Sequence, residues 1–423
     1  MLNIYDEYLS SSGVCTDTRK IEANCLFFAL KGDNFDGNQF VDEALNKGAK
    51  MAVIDDPSKQ VAGKTILVHD TLLALQDLAK IHRTRLSIPI IGLTGSNGKT
   101  TTKELIASVL GTTHNVFATE GNLNNHIGVP LSILSINKDH EIAIIEMGAN
   151  HQKEIQFLSE IAQPDYGLIT NIGRAHLEGF GGIEGVTKGK KELYDYIESS
   201  DGTLFVNAAD PKLVEIKPNV KTLYYGGNAP ITGSSIDADD FLRFELTVKQ
   251  EKIVVETQLV GDYNLSNALA AACIGAQFNL GIKDIQKGLE NYVPSNHRSQ
   301  LIKTSNNRVV LDAYNSNPSS VEVAIKNFSK REDEQKLVVL GDMLELGDES
   351  HSEHSKIIHL LEELHLDSIL VGSQFGLVEQ QSFIHFEDAK QTLSYLQGNP
   401  IKGKIILIKG SRGIQLETIL PAL

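Results

Sequence analysis

Apolar and polar positions follow one another along the chain in two distinct patterns. Short, largely apolar runs such as Ile88–Leu93 and Glu141–Met147 have the length and composition of buried strands, whereas Thr71–Leu86 carries its apolar residues at the spacing of an amphipathic helix. Segments of these two kinds alternate through most of the 423 residues. This order predicts an α/β fold with parallel sheets.

Two proline-containing segments divide this pattern into three units, which we expect to be domains. Pro89 opens the second unit and Pro294–Ser295 is a candidate hinge before the third, so the expected domains are 1–86, 87–295 and 296–423. The strands expected in the first are Cys25–Leu30 and Lys50–Ile54, with a polar loop at Lys31–Gly37. Those expected in the second are Ile88–Leu93, Glu141–Met147, Tyr166–Thr170 and Gly202–Val206, followed by a β-rich extension at Thr222–Tyr225, Phe241–Val248 and Lys252–Leu259. Those expected in the third are Arg308–Leu311, Lys336–Leu340, Ser368–Val371 and Lys404–Ile408.

Charge and cysteine content narrow the class of protein. The formal net charge of −15 argues against a protein that wraps duplex nucleic acid. Three cysteines without a C-x-x-C pair fit reduced thiols in a cytoplasmic protein. The first residues lack an apolar secretion signal, and no apolar run is long enough to cross a membrane. We therefore expect a cytoplasmic protein with no nucleic acid partner and no membrane span.

A glycine-containing loop between a strand and a helix is the strongest chemical signal. Gly95 and Gly98 precede Lys99 and Thr100, which open a helical segment. Such a loop directs backbone N–H groups at a phosphate, while the lysine adds a cation and the threonine hydroxyl can ligate Mg²⁺. The usual spacing would place a glycine at Leu93, so a tight turn with an incidental lysine stays open as an alternative.

Further polar residues follow the ends of other predicted strands. Glu146 is an acid suited to Mg²⁺ opposite Thr100, whereas His176 is a weak candidate because Mg²⁺ prefers oxygen ligands. The cluster of Lys188, Lys190 and Lys191 fits either a solvated helix face or a phosphate contact. In the third unit, two loops follow strand ends at 312–315 and 409–412 and fit either a second anionic ligand or plain connections.

Taken in order, these segments resemble the Mur ligases of peptidoglycan synthesis over essentially the whole chain. The segments that carry the resemblance are TGSNGKTT (94–101), GNLNNHIGVPLSIL (121–134), EMGAN (146–150), NIGRAHLEGFGG (171–182), KGKKE (188–192), LDAYNSNPSS (311–320), VLGDMLELG (339–347) and KGSRG (409–413). Within the family they are most similar to the members that use D-Ala-D-Ala and UDP-N-acetylmuramoyl-tripeptide. Three positions depart from the common family pattern, namely Thr16, Tyr263 and His297.

The resemblance implies an enzyme of three domains: an N-terminal UDP-binding α/β domain, a central P-loop ATPase domain with a parallel sheet and β-rich extension, and a C-terminal Rossmann-like domain. It implies a monomeric, ATP-dependent amide ligase that works through an acyl phosphate with two Mg²⁺ ions. The alternatives are another Mur-type or folylpolyglutamate-type ligase, or a P-loop ATPase that forms no bond.

The resemblance also assigns roles to individual residues. Catalysis falls to Lys99, His176 and Lys190, and the Mg²⁺ ligands are Thr100, Glu146, His176 and Lys190, the last carbamylated by CO₂. ATP contacts are Thr94, Gly95, Ser96, Asn97, Gly98, Lys99, Thr100, Thr101, Asn264, Asn267, Arg298 and Asp312. Substrate contacts are Thr18, Arg19, Lys31, Gly32, Asn122, Asn124, Asn125, Asn315, Lys409, Ser411 and Arg412.

Overall fold

Three separate β-sheets organise the chain, one in each of the expected units. The computed structural model describes residues 2–236, 240–295, 297–332, 335–379 and 382–423. Within these residues the main sheets have four, nine and six strands. The apolar runs become strands because they are sheltered on both faces: every residue of Ile90–Thr94 and Ile142–Glu146 is buried. An α/β fold is therefore confirmed.

The first unit contains a parallel sheet and a separate hairpin. Its helices and strands are α1 (Leu2–Leu9), β1 (Val14–Cys15), β2 (Leu26–Phe28), β3 (Lys31–Gly32), β4 (Phe35–Asp36), α2 (Val41–Asn46), β5 (Met51–Ile54), β6 (Thr65–Leu67) and α3 (Thr71–Arg83). The sheet order is β1-β2-β5-β6. The expected loop at Lys31–Gly37 instead contains the antiparallel hairpin β3–β4, because two residues suffice to connect paired strands.

Helix α3 anchors this unit on the second. Asp70 accepts the N–H of Leu73 at 2.8 Å and so caps the start of the helix, and the apolar stripe of α3, with Leu75 and Leu78, is fully buried. Near its end, Arg83 lies 3.0 Å from Asp165 in an ion pair. The helix thereby links the two units through both its apolar face and its basic end.

The second unit is built on the nine-stranded sheet. Its elements are β7 (Ile90–Thr94), α4 (Lys99–Leu110), β8 (Val116–Ala118), α5 (Gly128–Leu134), β9 (Ile142–Glu146), α6 (Glu154–Ala162), β10 (Tyr166–Ile169), α7 (Leu177–Phe180), α8 (Ile183–Ser199), β11 (Thr203–Asn207), α9 (Pro211–Ile216), β12 (Thr222–Tyr225), β13 (Ile231–Ile236), β14 (Arg243–Val248), β15 (Glu251–Glu256), α10 (Leu265–Gln277) and α11 (Ile282–Asn291).

The strand order of this sheet is β15-β14-β13-β12-β11-β10-β7-β9-β8. Across the sheet, neighbouring strands are parallel from the edge strand β8 as far as β13, and the last three strands, β13, β14 and β15, pair antiparallel. This confirms both the parallel core and the β-rich extension. Ala143 and Ile145 enter one core cluster while Ile144 enters another, so helices cover both faces. The carboxyl ends of β7, β9 and β10 share one edge, where ligands bind in sheets of this kind.

The third unit is a second doubly covered sheet. Its elements are β16 (Gln300–Lys303), β17 (Arg308–Asp312), α12 (Pro318–Ser329), β18 (Lys336–Gly341), α13 (Ser350–Glu363), β19 (Ser368–Val371), α14 (Ser373–Gly376), β20 (Ile384–Phe386), α15 (Ala389–Gly398) and β21 (Ile405–Lys409). The order is β16-β17-β21-β18-β19-β20, parallel except for β16. Short 3₁₀ turns occur at Thr18–Lys20, Gly37–Phe40, Pro57–Lys59, Asp262–Asn264, Gly347–Glu349, Arg412–Ile414 and Leu416–Ala422.

Most predicted strands are present with ends shifted by a few residues. Several strands were not predicted, among them the short β8, β16 and β20 and the six-residue β13. Among the described residues, no helix combines the length and the apolar character that crossing a membrane requires.

Arg174 connects the second and third units. Its guanidinium lies 2.7 Å from Glu322 and 3.0 Å from Glu353, and its backbone N–H donates to Ser319 Oγ at 2.8 Å. The Glu353 side chain is only 2% exposed, so this ion pair is largely shielded from water. Lys356 also contacts Glu353, at 2.6 Å, and keeps that carboxylate paired within the third unit.

Replacing Arg174 with alanine should loosen the contact between these units without unfolding either. We expect a loss of about 1–3 kcal/mol for the closed arrangement, between the values typical of exposed and buried ion pairs. Small-angle scattering should then report a larger radius of gyration. Arg243→Ala is the matched control, because Arg243 pairs with Glu256 inside one hairpin. Scattering identical to the wild type in Arg174→Ala would contradict this role.

Candidate active site

The loop after β7 has the backbone of a phosphate cradle. Gly95 and Gly98 have φ of +148° and +76°, values that favour glycine, and α4 begins directly after them at Lys99. A Cβ added at Gly95 would overlap Thr170 Oγ1, and one at Gly98 would lie 2.9 Å from Asn267 Oδ1. Conformation and space therefore both require glycine at these two positions.

The segment after β10 braces this loop. The carbonyl of Asn171 accepts the N–H of Ser96 at 3.0 Å, and its side-chain oxygen accepts the N–H of Asn97 at 3.1 Å. Thr170 Oγ1 donates to the carbonyl of Asn97 at 2.6 Å. The residues at the end of β10 thus hold the loop in position.

A cavity of about 750 Å³ opens at this edge of the central sheet and reaches the third unit. The predicted site residues that line it are Ser96, Asn97, Gly98, Lys99, Thr100, Thr101, Asn122, Asn124, Asn125, Glu146, His176, Asn264, Asn267, Arg298, Asp312, Asn315 and Lys409. Tyr263, Tyr314, Asn317 and Ser319 also contribute to its walls. The cavity therefore collects side chains from two units and the segment between them.

Lys99 lies at the floor of the cavity. Its Nζ donates to the carbonyl of Gly95 at 2.6 Å. Loss of hydration lowers the pKa of Lys99. The positive charge of Arg298 lowers this pKa further, whereas the negative charge of Glu146 raises it. An anionic ligand would restore the interactions that this ammonium group has lost.

Glu146 has the environment expected of a metal ligand. The residue is 1% exposed; its Oε1 accepts the amide of Asn124 at 2.8 Å, while its Oε2 is buried with no hydrogen-bond partner. A buried carboxylate oxygen without a partner is costly unless a cation or donor meets it. Thr100 lines the same cavity at the first turn of α4, so a hydroxyl and a carboxylate, both hard oxygen donors, fit Mg²⁺ here.

The lysine cluster predicted on α8 is divided by burial. Lys188 is exposed and Lys191 pairs with Asp195, whereas Lys190 is 1% exposed. The Lys190 Nζ lies 3.5 Å from the carbonyl of Ala149. Burial, and then the charge of Lys99, lower the pKa of Lys190 well below its ordinary value. A neutral amine is the form that reacts with CO₂, and carbamylation of Lys190 stays a prediction.

His176 meets a carboxylate that sequence reasoning missed. Its Nδ1 lies 2.5 Å from Oε2 of Glu345, a residue of the third unit. The neighbouring His176 side chain lowers the pKa of the Glu345 carboxyl, but the contact is an ion pair by distance only, because Nδ1 of His176 has no hydrogen-bond partner of acceptable geometry. Among the described residues no three His, Cys, Asp or Glu side chains form a ready-made metal cluster, so a metal here would also need the hydroxyl of Thr100 or a modified Lys190.

The wall contributed by the third unit is a network of charges and rings. Asp312 accepts Lys409 Nζ at 2.6 Å and the N–H of Ser299 at 3.3 Å. Arg298 stacks over the Tyr314 ring, 3.7 Å from its centroid, and Arg412 lies 5.5 Å from the same centroid. The two strand-end loops predicted in this unit therefore meet each other at the cavity.

Asn317, which was not predicted, also links the third unit to the phosphate loop. Its Nδ2 donates to Asn97 Oδ1 at 2.7 Å, while its Oδ1 caps α12 by accepting the N–H of Ser320 at 3.0 Å. The sequence Asn-Pro-Ser-Ser is a helix-start signal, so the cap was detectable even though the contact across units was not.

Several predicted residues do not line the cavity, and Lys190 and Arg412 are among them. Thr94 ends β7 and Gly95 begins the loop, and both are buried. Ser411 is also buried and accepts the N–H of Leu344 at 3.0 Å. Thr18, Arg19, Lys31 and Gly32 belong to the first unit, where Arg19 pairs with Asp17 and Lys31 with Asp55, at 2.7 and 2.8 Å. Their assigned role in binding the UDP end of a substrate stays a prediction.

Sequence and structure comparisons agree with this architecture. Family models described as Mur ligase family catalytic domain, Mur ligase middle domain, and Mur ligase glutamate ligase domain match residues 10–83, 93–275 and 297–412. The UDP-N-acetylmuramoyl-tripeptide–D-alanyl-D-alanine ligases of Bacillus subtilis and Haemophilus influenzae are 37% and 34% identical; the alignments cover 96% and 99% of this chain and 92% and 95% of those proteins.

Solved structures of Mur ligases align with this chain over nearly its full length. MurF from Acinetobacter baumannii aligns with a TM-score of 0.89 at 31% identity, over 99% of this chain and 97% of that one. MurF from Thermotoga maritima, solved in complex with ADP, aligns with a TM-score of 0.86 at 27% identity, over 98% and 97%. The three-domain architecture and the match of both sequence and structure along nearly the full length show that the chain belongs to the Mur ligase family.

Proposed function

We propose that this chain is an ATP-dependent ligase that joins D-Ala-D-Ala to UDP-N-acetylmuramoyl-tripeptide and releases ADP and phosphate. The observation that carries the proposal is the cavity, which combines a phosphate loop, a buried carboxylate oxygen without a partner and polar groups from a second domain. The relatives that bear the name of this activity align along nearly the full chain. We also propose that it works as a cytoplasmic monomer with domains at 1–86, 87–295 and 296–423.

The proposed reaction begins with a peptide carboxylate that attacks the γ-phosphate of ATP. Two unit charges about 4 Å apart repel by about 4 kcal/mol at an effective dielectric of about 20, so the site must neutralise charge. Lys99 is placed to do so at the floor of the cavity, with the N–H groups of the loop. Thr100, Glu146, His176 and carbamylated Lys190 would hold Mg²⁺, which when bound offsets the phosphate charge.

The second half of the reaction needs a dry site. The first step gives an acyl phosphate and ADP; the free amine of D-Ala-D-Ala then attacks the acyl carbon, and phosphate leaves. Water would hydrolyse the acyl phosphate, so the third domain must already cover the cavity. Arg174 and Asn317 join the third domain to the central one beside the phosphate loop.

Release of phosphate tests the function directly. We expect release from ATP only when UDP-N-acetylmuramoyl-tripeptide and D-Ala-D-Ala are both present, with lysine and diaminopimelate forms of the tripeptide each supplied. Mass spectrometry should identify the pentapeptide product. Phosphate release that is indifferent to D-Ala-D-Ala would instead indicate a P-loop ATPase, and use of another amino acid would indicate a different ligase.

Replacing Lys99 with alanine should lower kcat/KM by at least about 100-fold, because a cation aimed at the transferring phosphoryl group is lost. The fold should persist, since Lys99 faces the cavity rather than the core. Circular dichroism would verify folding while turnover is measured. Lys188→Ala is the control for loss of a lysine, because Lys188 is exposed. Near-normal turnover in a folded Lys99→Ala protein would exclude the role.

Carbamylation of Lys190 has its own test. Mass spectrometry under bicarbonate should detect added CO₂ on Lys190 and not on Lys188. Lys190→Ala should lose most activity, and short carboxylic acids should restore part of it by supplying the missing carboxylate in the space left by the side chain. The modification is refuted here if neither the added mass nor the rescue is observed.

A further inference from the structure

A hydrogen bond between Tyr263 and Ser299 joins the central domain to the segment that leads into the third. Tyr263 lies in the 3₁₀ turn Asp262–Asn264, directly before α10, and lines the cavity. Ser299 lies directly before β16 and also lines the cavity. The two hydroxyl oxygens are 3.0 Å apart, so one hydroxyl donates to the other across the domain boundary.

Arg298 lies between two residues whose backbone conformations are rare outside glycine. His297 has φ of +57° and Ser299 has φ of +47°. Such conformations cost free energy and persist only where surrounding contacts impose them. Within the segment, the N–H of His297 donates to Gln300 Oε1 at 3.1 Å. Ser299 is held instead by residues outside the segment.

Hydrogen bonds from both domains hold Ser299. Its N–H donates to Asp312 Oδ1 of the third domain at 3.3 Å, and its hydroxyl pairs with Tyr263 of the central domain. Asp312 is itself fixed by Lys409, whose Nζ donates to Oδ2 at 2.6 Å. Ser299 is only 5% exposed, so these bonds are largely shielded from water. The position of Ser299 thus depends on both domains.

The backbone around Tyr263 fixes the place of its ring. A Cβ added at Gly261, where φ is +95°, would overlap Cε1 of the ring, so glycine makes room for it. Burial, and then the charge of Asp312, raise the pKa of Tyr263, so its hydroxyl stays protonated. Asn267, in the first turn of α10, lies close to Gly98 of the phosphate loop. Tyr263 therefore belongs to an element that also contacts the phosphate loop.

We propose that Tyr263 is a positioning residue: its hydroxyl tethers Ser299 to the central domain and thereby orients Arg298 at the cavity wall. The Arg298 guanidinium stacks on the Tyr314 ring, 3.7 Å from its centroid, while its buried Nε has no hydrogen-bond partner. Its orientation therefore depends on the backbone that Ser299 fixes as well as on the ring. The effect on ATP binding rests on the proposed function, whereas the tether itself does not.

Two substitutions remove this hydrogen bond, one from each side. Tyr263→Phe removes only the phenol oxygen, and Ser299→Ala removes only the serine oxygen and keeps the N–H that reaches Asp312. The double variant tells whether the two groups act through one bond. Tyr395→Phe is the matched control, because Tyr395 is half-buried in the third domain, where its ring packs on Phe386 with centroids 5.0 Å apart.

The first measurement is hydrogen exchange of the full chain, read by mass spectrometry in peptides that cover residues 297–303. We expect exchange to be faster by about 2- to 10-fold in Tyr263→Phe and in Ser299→Ala, the effect of losing one hydrogen bond of ordinary net strength. The double variant should exchange no faster than the faster single variant, and Tyr395→Phe should match the wild type. Unchanged exchange in Tyr263→Phe, or effects that add in the double variant, would overturn the proposal.

The second measurement is ligase turnover at varied ATP. The KM for ATP should rise about 2- to 10-fold in Tyr263→Phe while kcat stays within about 2-fold, because the tether orients a nucleotide contact rather than the reacting groups. A fall in kcat with an unchanged KM for ATP would also overturn the proposal. If the wild type has no ligase activity, the proposed function fails, yet hydrogen exchange still decides whether Tyr263 tethers Ser299.

Discussion

The site depends on ionisable groups that the fold has removed from water. Lys190 and Glu146 are buried in the central domain, and Lys99 faces the cavity with a lowered pKa. One oxygen of Glu146 has no partner. Isolated buried charges are costly, and packing alone does not compensate them. Phosphates and divalent cations would supply the missing interactions, so the desolvation of these groups favours binding of such ligands.

A short segment after β10 contacts both the phosphate loop and the third domain. Asn171 holds the phosphate loop, Arg174 pairs with the third domain, and His176 meets Glu345. Six residues therefore contact the ATP loop at one end and the third domain at the other. A displacement of the third domain would break the contacts of Arg174 and His176 in the same short segment that holds the phosphate loop through Asn171.

The sequence predicted those site residues and strands that a local pattern of apolar and polar positions marks. Strand-end logic found Glu146 and Asp312, since polar residues after apolar strands meet at one edge of a parallel sheet. Short strands such as β16 and β20 were missed because edge strands of three or four residues carry little pattern. Lys188 and Lys190 looked alike in sequence; only the rotation of α8 against its core separates an exposed lysine from a buried one.

Contacts between domains could not be predicted from the sequence, for a different reason. Glu345 lies 169 positions after His176, and nothing in either local sequence specifies the angle at which the domains meet. Yet these contacts complete the cavity: without the third domain, Lys409, Asp312 and Tyr314 are missing from its wall. Formation of the reactive acyl phosphate and exclusion of water must therefore be coupled, because the residues that close the cavity are the ones that complete its chemistry.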